Sequence, residues 1–320
     1  MLNAINIPQL DLNDYINGSA EEKKRFSDEI GKAFNDTGFV TVSNHGLSAQ
    51  LIADLYVEVK NFFSLPDEFK LKYQIPELAG QRGYTTKGKE KAKDEKTPDL
   101  KEFWQSGQTV TDGNPIRADY PDNIIVEELP RFNEVTLQVY KSLENAGKHL
   151  LRAISVYLQL DENYFEDKVH NGNSILRGIH YFPLDNPESL PADAVRAGAH
   201  EDINLITLLI GASADGLEVL TRNGEWYPVK ADAEDIVVNV GDMLQRLTNN
   251  KLKSTTHRVV NPPQEFMKTS RFSVPFFLHP KLNVELTCLA SCIDADHPKA
   301  YSDITAGEYL DERLREIGLK

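Results

Sequence analysis

Cysteine is scarce in this sequence. Cys288 and Cys292 are the only two in 320 residues, too few for the disulfide framework that small secreted domains depend on. With His297 near them they fall short of a structural metal site and read as small buried hydrophobes, which fits a reduced, cytoplasmic protein. Positive charge is also in deficit: 35 basic against 49 acidic residues leave a net charge of −14. So acidic a chain repels a phosphate backbone, and nucleic acid is not an expected partner. No apolar run approaches the ~20 residues a membrane helix needs. Residues 1–8 lack a basic start and an apolar stretch, so neither a signal peptide nor a membrane contact is expected. No internal repeat and no Pro/Gly/Ser linker divides the chain, and no segment points to a protein partner.

What is present suffices for a substantial core, since 40% of the residues are hydrophobic. Residues 7–12 read as a short opening strand. Ser19 and Glu22 form a capping-box signature, and the helix after them carries Phe26, Ile30, Ala33 and Phe34 on one face. Residues 38–42 read as a strand ending in Asn44-His45-Gly46, where His45 is a turn residue. A second helix is predicted over 48–64 and stopped by Pro66. A long one is predicted over 130–159, where Val135, Val139, Leu143, Ala146, Leu150 and Ile154 recur at helical spacing; His149 belongs to that helix. Residues 74–97 are irregular, with a mixed-charge run over 87–96, and 101–105 read as a strand. A closing helix over 305–317 carries no evident chemistry. His279 and His297 adjoin prolines and read as turn residues.

The densest chemistry lies in residues 199–277. His200 and Asp202 are two apart, so on extended backbone they point to one face, where an imidazole and a carboxylate can meet one metal ion. Residues 205–210 read as a strand, and so does Thr255-Thr256-His257-Arg258-Val259-Val260, which is rich in β-branched residues. Two histidines and an aspartate on facing strands make the ligand set of non-haem Fe(II) oxygenases, with positions left open for O2 and an organic ligand. Asn223-Gly224 marks a hairpin, and 236–240 form a buried-strand run before Gly241-Asp242. Arg271 and Ser273 share a strand face, and a planar guanidinium beside a hydroxyl suits a carboxylate. Taken singly, His-x-Asp also describes a hydrogen-bonded histidine beside a surface acid, and Arg271 a surface salt bridge. The order of the parts separates these readings.

His200-x-Asp202, Gly241-Asp242, His257-Arg258-Val259 and Arg271-x-Ser273, in this order, resemble the isopenicillin N synthase-like family of Fe(II)/2-oxoglutarate-dependent oxygenases. The resemblance implies an α+β, mainly β fold: a double-stranded β-helix (jelly-roll) core with an N-terminal helical region and a long backing helix. It assigns residues 1–110 to the N-terminal helix-and-strand region and 111–320 to the jelly-roll core with its C-terminal helix, together one structural unit. By the family pattern, His200, Asp202 and His257 match the iron ligands, Arg271 and Ser273 the clamp on the distal carboxylate of 2-oxoglutarate, and Tyr181 a further cosubstrate contact. The implied cofactor is Fe(II), with 2-oxoglutarate and O2 as cosubstrates. The implied reaction is hydroxylation of a small organic molecule with release of succinate and CO2.

One segment departs from the pattern. Where the family often has Asn-Tyr-x-Pro, this chain has His180-Tyr181-Phe182-Pro183, and Phe182 has no hydroxyl to donate. His180 either replaces the asparagine, faces the substrate, or is a core residue. Arg82-Gly83-Tyr84 is similar to the segment that the family lays over its pocket mouth. Arg82, Tyr84, His180 and Phe182 are therefore the candidate substrate-pocket residues. The altered motif leaves open an oxidase of the same fold that needs no 2-oxoglutarate, of the isopenicillin N synthase or aminocyclopropane carboxylate oxidase type. A non-catalytic jelly-roll binding protein is the more distant alternative, since it needs none of the ordered set.

Overall fold

The structure, a computed structural model, describes residues 7–90, 97–111, 113–184, 188, 190–191, 194–211 and 215–317. Residues 1–6 and the 91–96 part of the charged run lie outside the described residues. The strands are β1 (Gln9–Asp11), β2 (Phe39–Ser43), β3 (Gly83–Thr85), β4 (Glu102–Gly107), β5 (Ile175–Tyr181), β6 (Ala197–His200), β7 (Ile206–Ile210), β8 (Leu217–Leu220), β9 (Trp226–Pro228), β10 (Ile236–Val240), β11 (His257–Val259), β12 (Arg271–Ser273) and β13 (Pro275–Leu278). The helices are α1 (Leu12–Ile16), α2 (Ala20–Asp36), α3 (Ala49–Phe63), α4 (Asp67–Leu71), α5 (Pro130–Tyr157), α6 (Glu166–Val169), α7 (Asp242–Leu247) and α8 (Ala306–Glu316).

Among the described residues the strands form two sheets. The larger runs β1-β2-β10-β7-β13-β5-β4-β3, with β12 joining β5 beside β13; the smaller runs β6-β11-β8-β9. A cavity of about 180 Å³ is lined by strands of both, so the jelly roll encloses a space on the scale of a small organic molecule. Strands from the first 107 residues continue the sheet that holds β5, β7, β10 and β13, and no sheet boundary falls at residue 110.

The larger sheet is buried on both faces, which is why its strands read as continuous apolar runs rather than as alternation. Ile206, Leu208 and Ile210, Ile236, Val238 and Val240, and Phe276 and Leu278 face the helices and join the main core. The residues between them, Thr207, Leu209, Asn239 and Phe277, face the cavity. Long α5 lies across the helix side with Val139, Leu143, Leu150 and Ile154 essentially inaccessible, each such burial contributing roughly 1.5–3 kcal/mol. A Cβ at Gly147 would fall 2.3 Å from Leu278 Cδ1, so this glycine lets α5 settle onto β13. Helix α2 starts at the predicted capping box: Ser19 Oγ accepts from Glu22 N, and Glu22 Oε2 accepts from Ser19 N. The Asn223-Gly224 turn joins paired β8 and β9, with Gly224 at φ +79°. His45 is the expected turn residue, its Nε2 bonding the Glu234 carbonyl at 2.6 Å. Cys288 and Cys292 are buried and unbridged.

Candidate metal centre and its cavity

Register in the smaller sheet brings together residues that are far apart in the chain. His257 opens β11 directly opposite His200, the last residue of β6. Asp202 follows two residues later, in the turn leading to β7. Asp202 Oδ1 lies 3.9 Å from His200 Nε2 and 3.8 Å from His257 Nε2, and one ligand atom from each residue falls within 4.8 Å of the others. Both Nδ1 atoms are occupied: His200 Nδ1 lies 2.8 Å from the Gly198 carbonyl and His257 Nδ1 3.1 Å from that of Thr255. A carbonyl only accepts, so each Nδ1 carries the proton and each Nε2 presents a lone pair to the shared point. Burial disfavours charge on His200, and His257 beside it adds to that effect. Burial also opposes the Asp202 carboxylate, but the two imidazoles and its hydrogen bonds outweigh it and hold its pKa down. Two neutral nitrogens and one carboxylate oxygen on one side of a point are the donor set that suits Fe(II) with open positions. The His200 side chain is 37% exposed, towards the cavity that those positions would face.

Asp202 is oriented by residues that the motif did not reveal. Its Oδ2 accepts from Thr207 Oγ1 at 2.6 Å and from Asn239 Nδ2 at 2.8 Å, while Asn204 Nδ2 donates to Thr207 Oγ1 at 2.8 Å. These bonds tie down one carboxylate oxygen and leave Oδ1 for the histidines. The available signal was a polar residue at the cavity-facing phase of an otherwise apolar strand: Thr207 in β7 and Asn239 in β10. Gly241 belongs to the same support, because a Cβ there would lie 2.0 Å from Asn204 Oδ1. Asp242 N donates to the Asp202 carbonyl at 2.9 Å, and burial pushes the Asp242 carboxyl up to about 7 even though Tyr309 of α8 donates to its Oδ2.

The two ends of the cavity differ. At one, β12 pairs with β5 so that Arg271 faces Tyr181 and Ser273 faces Ile179. Tyr181 and Ser273 line the cavity. Arg271 stands at its margin, its guanidinium 4.9 Å from the Tyr181 ring centre and its Nη2 donating to the Asp215 carbonyl at 2.6 Å. Along β5 from Tyr181 to Arg177 the chain advances ~13 Å, beside a row of charged groups that begins next to Tyr181, where Lys101 precedes the Glu102–His180 pair. Lys101 Nζ lies 2.6 Å from Glu90 and 2.7 Å from Asp99. Arg177 Nη1 reaches both Glu90 oxygens at 3.1 Å, and its Nε donates to Gln105 at 3.0 Å. Burial opposes the Glu90 carboxylate, yet Arg177 and Lys101 hold it down at about 2. Leu310, Leu314 and Ile317, in and just after α8, also line the cavity, so the closing helix is part of the site.

The candidate substrate-pocket residues lie elsewhere. His180 points from the opposite face of β5, bonding Glu102 at 2.7 Å and Ser270 at 2.9 Å and stacking on Phe272. Tyr84 donates to Glu102 beneath α3, and that carboxylate, after burial, keeps its phenol above the ordinary range. Arg82 is buried against Gly107, with Nη1 on the Gln81 carbonyl. Phe182, beyond β5, lies beneath Lys87 Nζ at 5.0 Å. None of the four lines the cavity. For His180 the reason is strand alternation: Ile179 and Tyr181 face the cavity, so the residue between them cannot.

Residues 172–280 match the family model described as the 2OG-Fe(II) oxygenase superfamily, and residues 7–128 the one described as non-haem dioxygenase in morphine synthesis N-terminal. The proline hydroxylase buaE of Petromyces alliaceus is 33% identical, over 96% of this chain and 98% of its own length. A protein of Caulobacter crescentus assigned to the 2OG-Fe(II) oxygenase family superposes with a TM-score of 0.86 at 42% identity, covering 97% of this chain and 99% of that one. A full-length Neurospora crassa protein solved with alpha-KG and thymine superposes with a TM-score of 0.85 at 28% identity, covering 98% of each chain. Among the described residues, no helix is long and apolar enough to cross a membrane.

Proposed function

The chain belongs to the 2OG-Fe(II) oxygenase superfamily, and from that premise we propose how its residues divide the work. It is a 2-oxoglutarate-dependent dioxygenase that uses Fe(II) and O2 to oxidise a small molecule. Bound iron supplies the activation of O2 that couples decarboxylation of 2-oxoglutarate to succinate and CO2 with hydroxylation of the substrate. In this reading His200, Asp202 and His257 hold the iron through Nε2, Oδ1 and Nε2. Thr207 and Asn239 keep Asp202 ionised and aimed. Arg271 and Ser273 hold the distal carboxylate of 2-oxoglutarate, and Tyr181 flanks it with its ring against Arg271. The apolar lining from Ile179, Leu209 and Phe277 excludes water from the reacting centre.

Support for a small, ring-sized polar substrate comes from the relatives, one named for proline and one solved with thymine. A net charge of −14 speaks against a nucleic-acid strand, and two unbridged cysteines support a reducing, cytoplasmic setting. The 1–110 region and the 111–320 core form one structural unit in this reading, supported by the hydrogen bonding of β4 onto β5.

The observation that carries the assignment is the convergence of the three ligand atoms with both Nδ1 positions already occupied. Anaerobic addition of Fe(II), then of 2-oxoglutarate, to the purified protein tests it. A saturable visible charge-transfer band is expected. Failure to bind iron would sink the triad, and iron binding without the band would sink the clamp.

A further inference from the structure

The end of the cavity away from Arg271 carries polar groups for which iron and cosubstrate have no use. His279 continues the alternation of Pro275 and Phe277 and lines the cavity. It is only 7% exposed. Its backbone N and O bond Ser174, but neither ring nitrogen has a hydrogen-bond partner among the described residues. Burial, reinforced by Arg177 and Arg82 against the pull of Asp202, lowers its pKa to about 4, so the ring is neutral and offers one donor and one acceptor. An unpartnered buried polar group is costly unless something fills the position.

Arg177 is in a similar state. Its Nε and Nη1 are engaged by Gln105 and Glu90, while Nη2 has no partner among the described residues. Its guanidinium carbon lies 5.3 Å from the ring centre of Phe277. Among the groups of this network that line the cavity the charges balance, Glu90 and Asp99 against Lys101 and Arg177, while Arg82 lies behind Gly107 and outside the lining. An additional carboxylate there would be a buried charge without a counterion, and a zwitterion would have to part ion pairs closed to 2.6–2.7 Å. A neutral amide adds no charge. Its carbonyl needs a donor and its N–H an acceptor, and Arg177 Nη2 and a His279 ring nitrogen supply one of each.

Resting on the iron-and-cosubstrate reading above, we propose that His279 and Arg177 are the specificity-determining pair of this cavity, and that its substrate is a neutral molecule presenting an amide or lactam edge. Phe277 and the α8 side chains Leu310 and Leu314 cover its apolar remainder.

The test is an anaerobic titration of the Fe(II)–2-oxoglutarate complex with thymine as neutral lactam, orotate as the same type of ring bearing a carboxylate, and L-proline as zwitterion. Binding is followed by calorimetry and by perturbation of the visible band. Thymine is expected to bind at least about tenfold more tightly than either charged probe. His279→Ala is expected to weaken thymine about tenfold, and His279→Gln, which keeps a donor and an acceptor, to recover most of the loss. All three proteins should bind 2-oxoglutarate alike. Orotate or proline matching thymine, no thymine binding up to its solubility, or unchanged thymine affinity in His279→Ala would overturn the proposal. Loss of the band in the unaltered protein would count against the iron reading instead, and calorimetry on the metal-free protein would still decide the recognition pair.

Discussion

Strands β4 and β5 carry a buried ion network on each face. On the helix side, Glu102 is fully buried and accepts from Lys70 at 3.0 Å and from Tyr84, with His180 at 2.7 Å. Burial works against its carboxylate, but these hydrogen bonds outweigh it and hold it at about 2. On the cavity side, Lys101, Glu90, Asp99 and Arg177 form a second network, its side chains 7–15% exposed against 0–9% for Glu102, Lys70 and His180. The difference lies in what is left over. On the helix side Lys70 also meets Asp67, and the second ring nitrogen of His180 meets Ser270, so the network closes on itself. On the cavity side Arg177 keeps one nitrogen without a partner and faces a void. A closed buried network is scaffold, whereas one that leaves hydrogen-bonding capacity towards a cavity is a binding surface. Composition alone does not separate the two.

The contrast can be sharpened by mutation, beginning with the largest effect. Asp202→Ala should abolish iron retention and turnover and lower the melting temperature of the metal-free protein only modestly, because the folded chain stabilises this carboxylate and Thr207 and Asn239 lose their acceptor. Metal analysis with a thermal melt checks both halves, and full iron occupancy would break the assignment. Glu102→Ala should do the reverse. It leaves buried Lys70 with exposed Asp67 alone and takes the acceptor from Tyr84 and His180, costing about 3–5 kcal/mol of stability, with no change in the 2-oxoglutarate requirement of the folded fraction. A denaturant titration paired with succinate-release kinetics distinguishes that outcome from a catalytic defect. Arg271→Ala should be smaller and confined to the cosubstrate. Loss of a charge-assisted bond worth about 1.5–3 kcal/mol raises the 2-oxoglutarate KM roughly 10- to 150-fold, and an unchanged KM would remove Arg271 from the clamp.

The smallest effect is a pH dependence that both faces share. Glu90 and Glu102 are held at about 2 against an ordinary 4.5, and His279 at about 4 against 6.5. In each case the unfolded chain binds the proton more readily, so stability is complete above the ordinary value and falls on acidification. The His279 contribution declines between pH 6.5 and about 4, and the glutamate contributions between 4.5 and about 2. Asp242, raised to about 7, acts in the opposite sense, so the informative quantity is a difference. Melting curves of the metal-free protein and of His279→Gln should diverge in slope between pH 6.5 and 4; parallel curves would show that His279 is not buried as described.

The candidate metal ligands that converge in space, the pairing of the Arg-x-Ser strand with β5, the Asn223-Gly224 hairpin, the capping box of α2 and the long amphipathic helix involve residues that were legible in the sequence. Each depends on residues close together in the chain, or on side chains whose chemistry permits few uses. What tertiary structure alone decided was the phase of the alternation. A period of two states that His180 and Tyr181 face opposite ways, but only the pairing of β5 with β4, β12 and β13 determines which of them meets the cavity. For the same reason Thr207 and Asn239, apparent interruptions in apolar strands, became the supports of Asp202. His279, apparently a turn residue, became part of the cavity wall, and the closing helix became another. Their partners come from strands and helices tens to hundreds of residues away, and register between those elements is set by the packing of the whole sheet rather than by any segment of it.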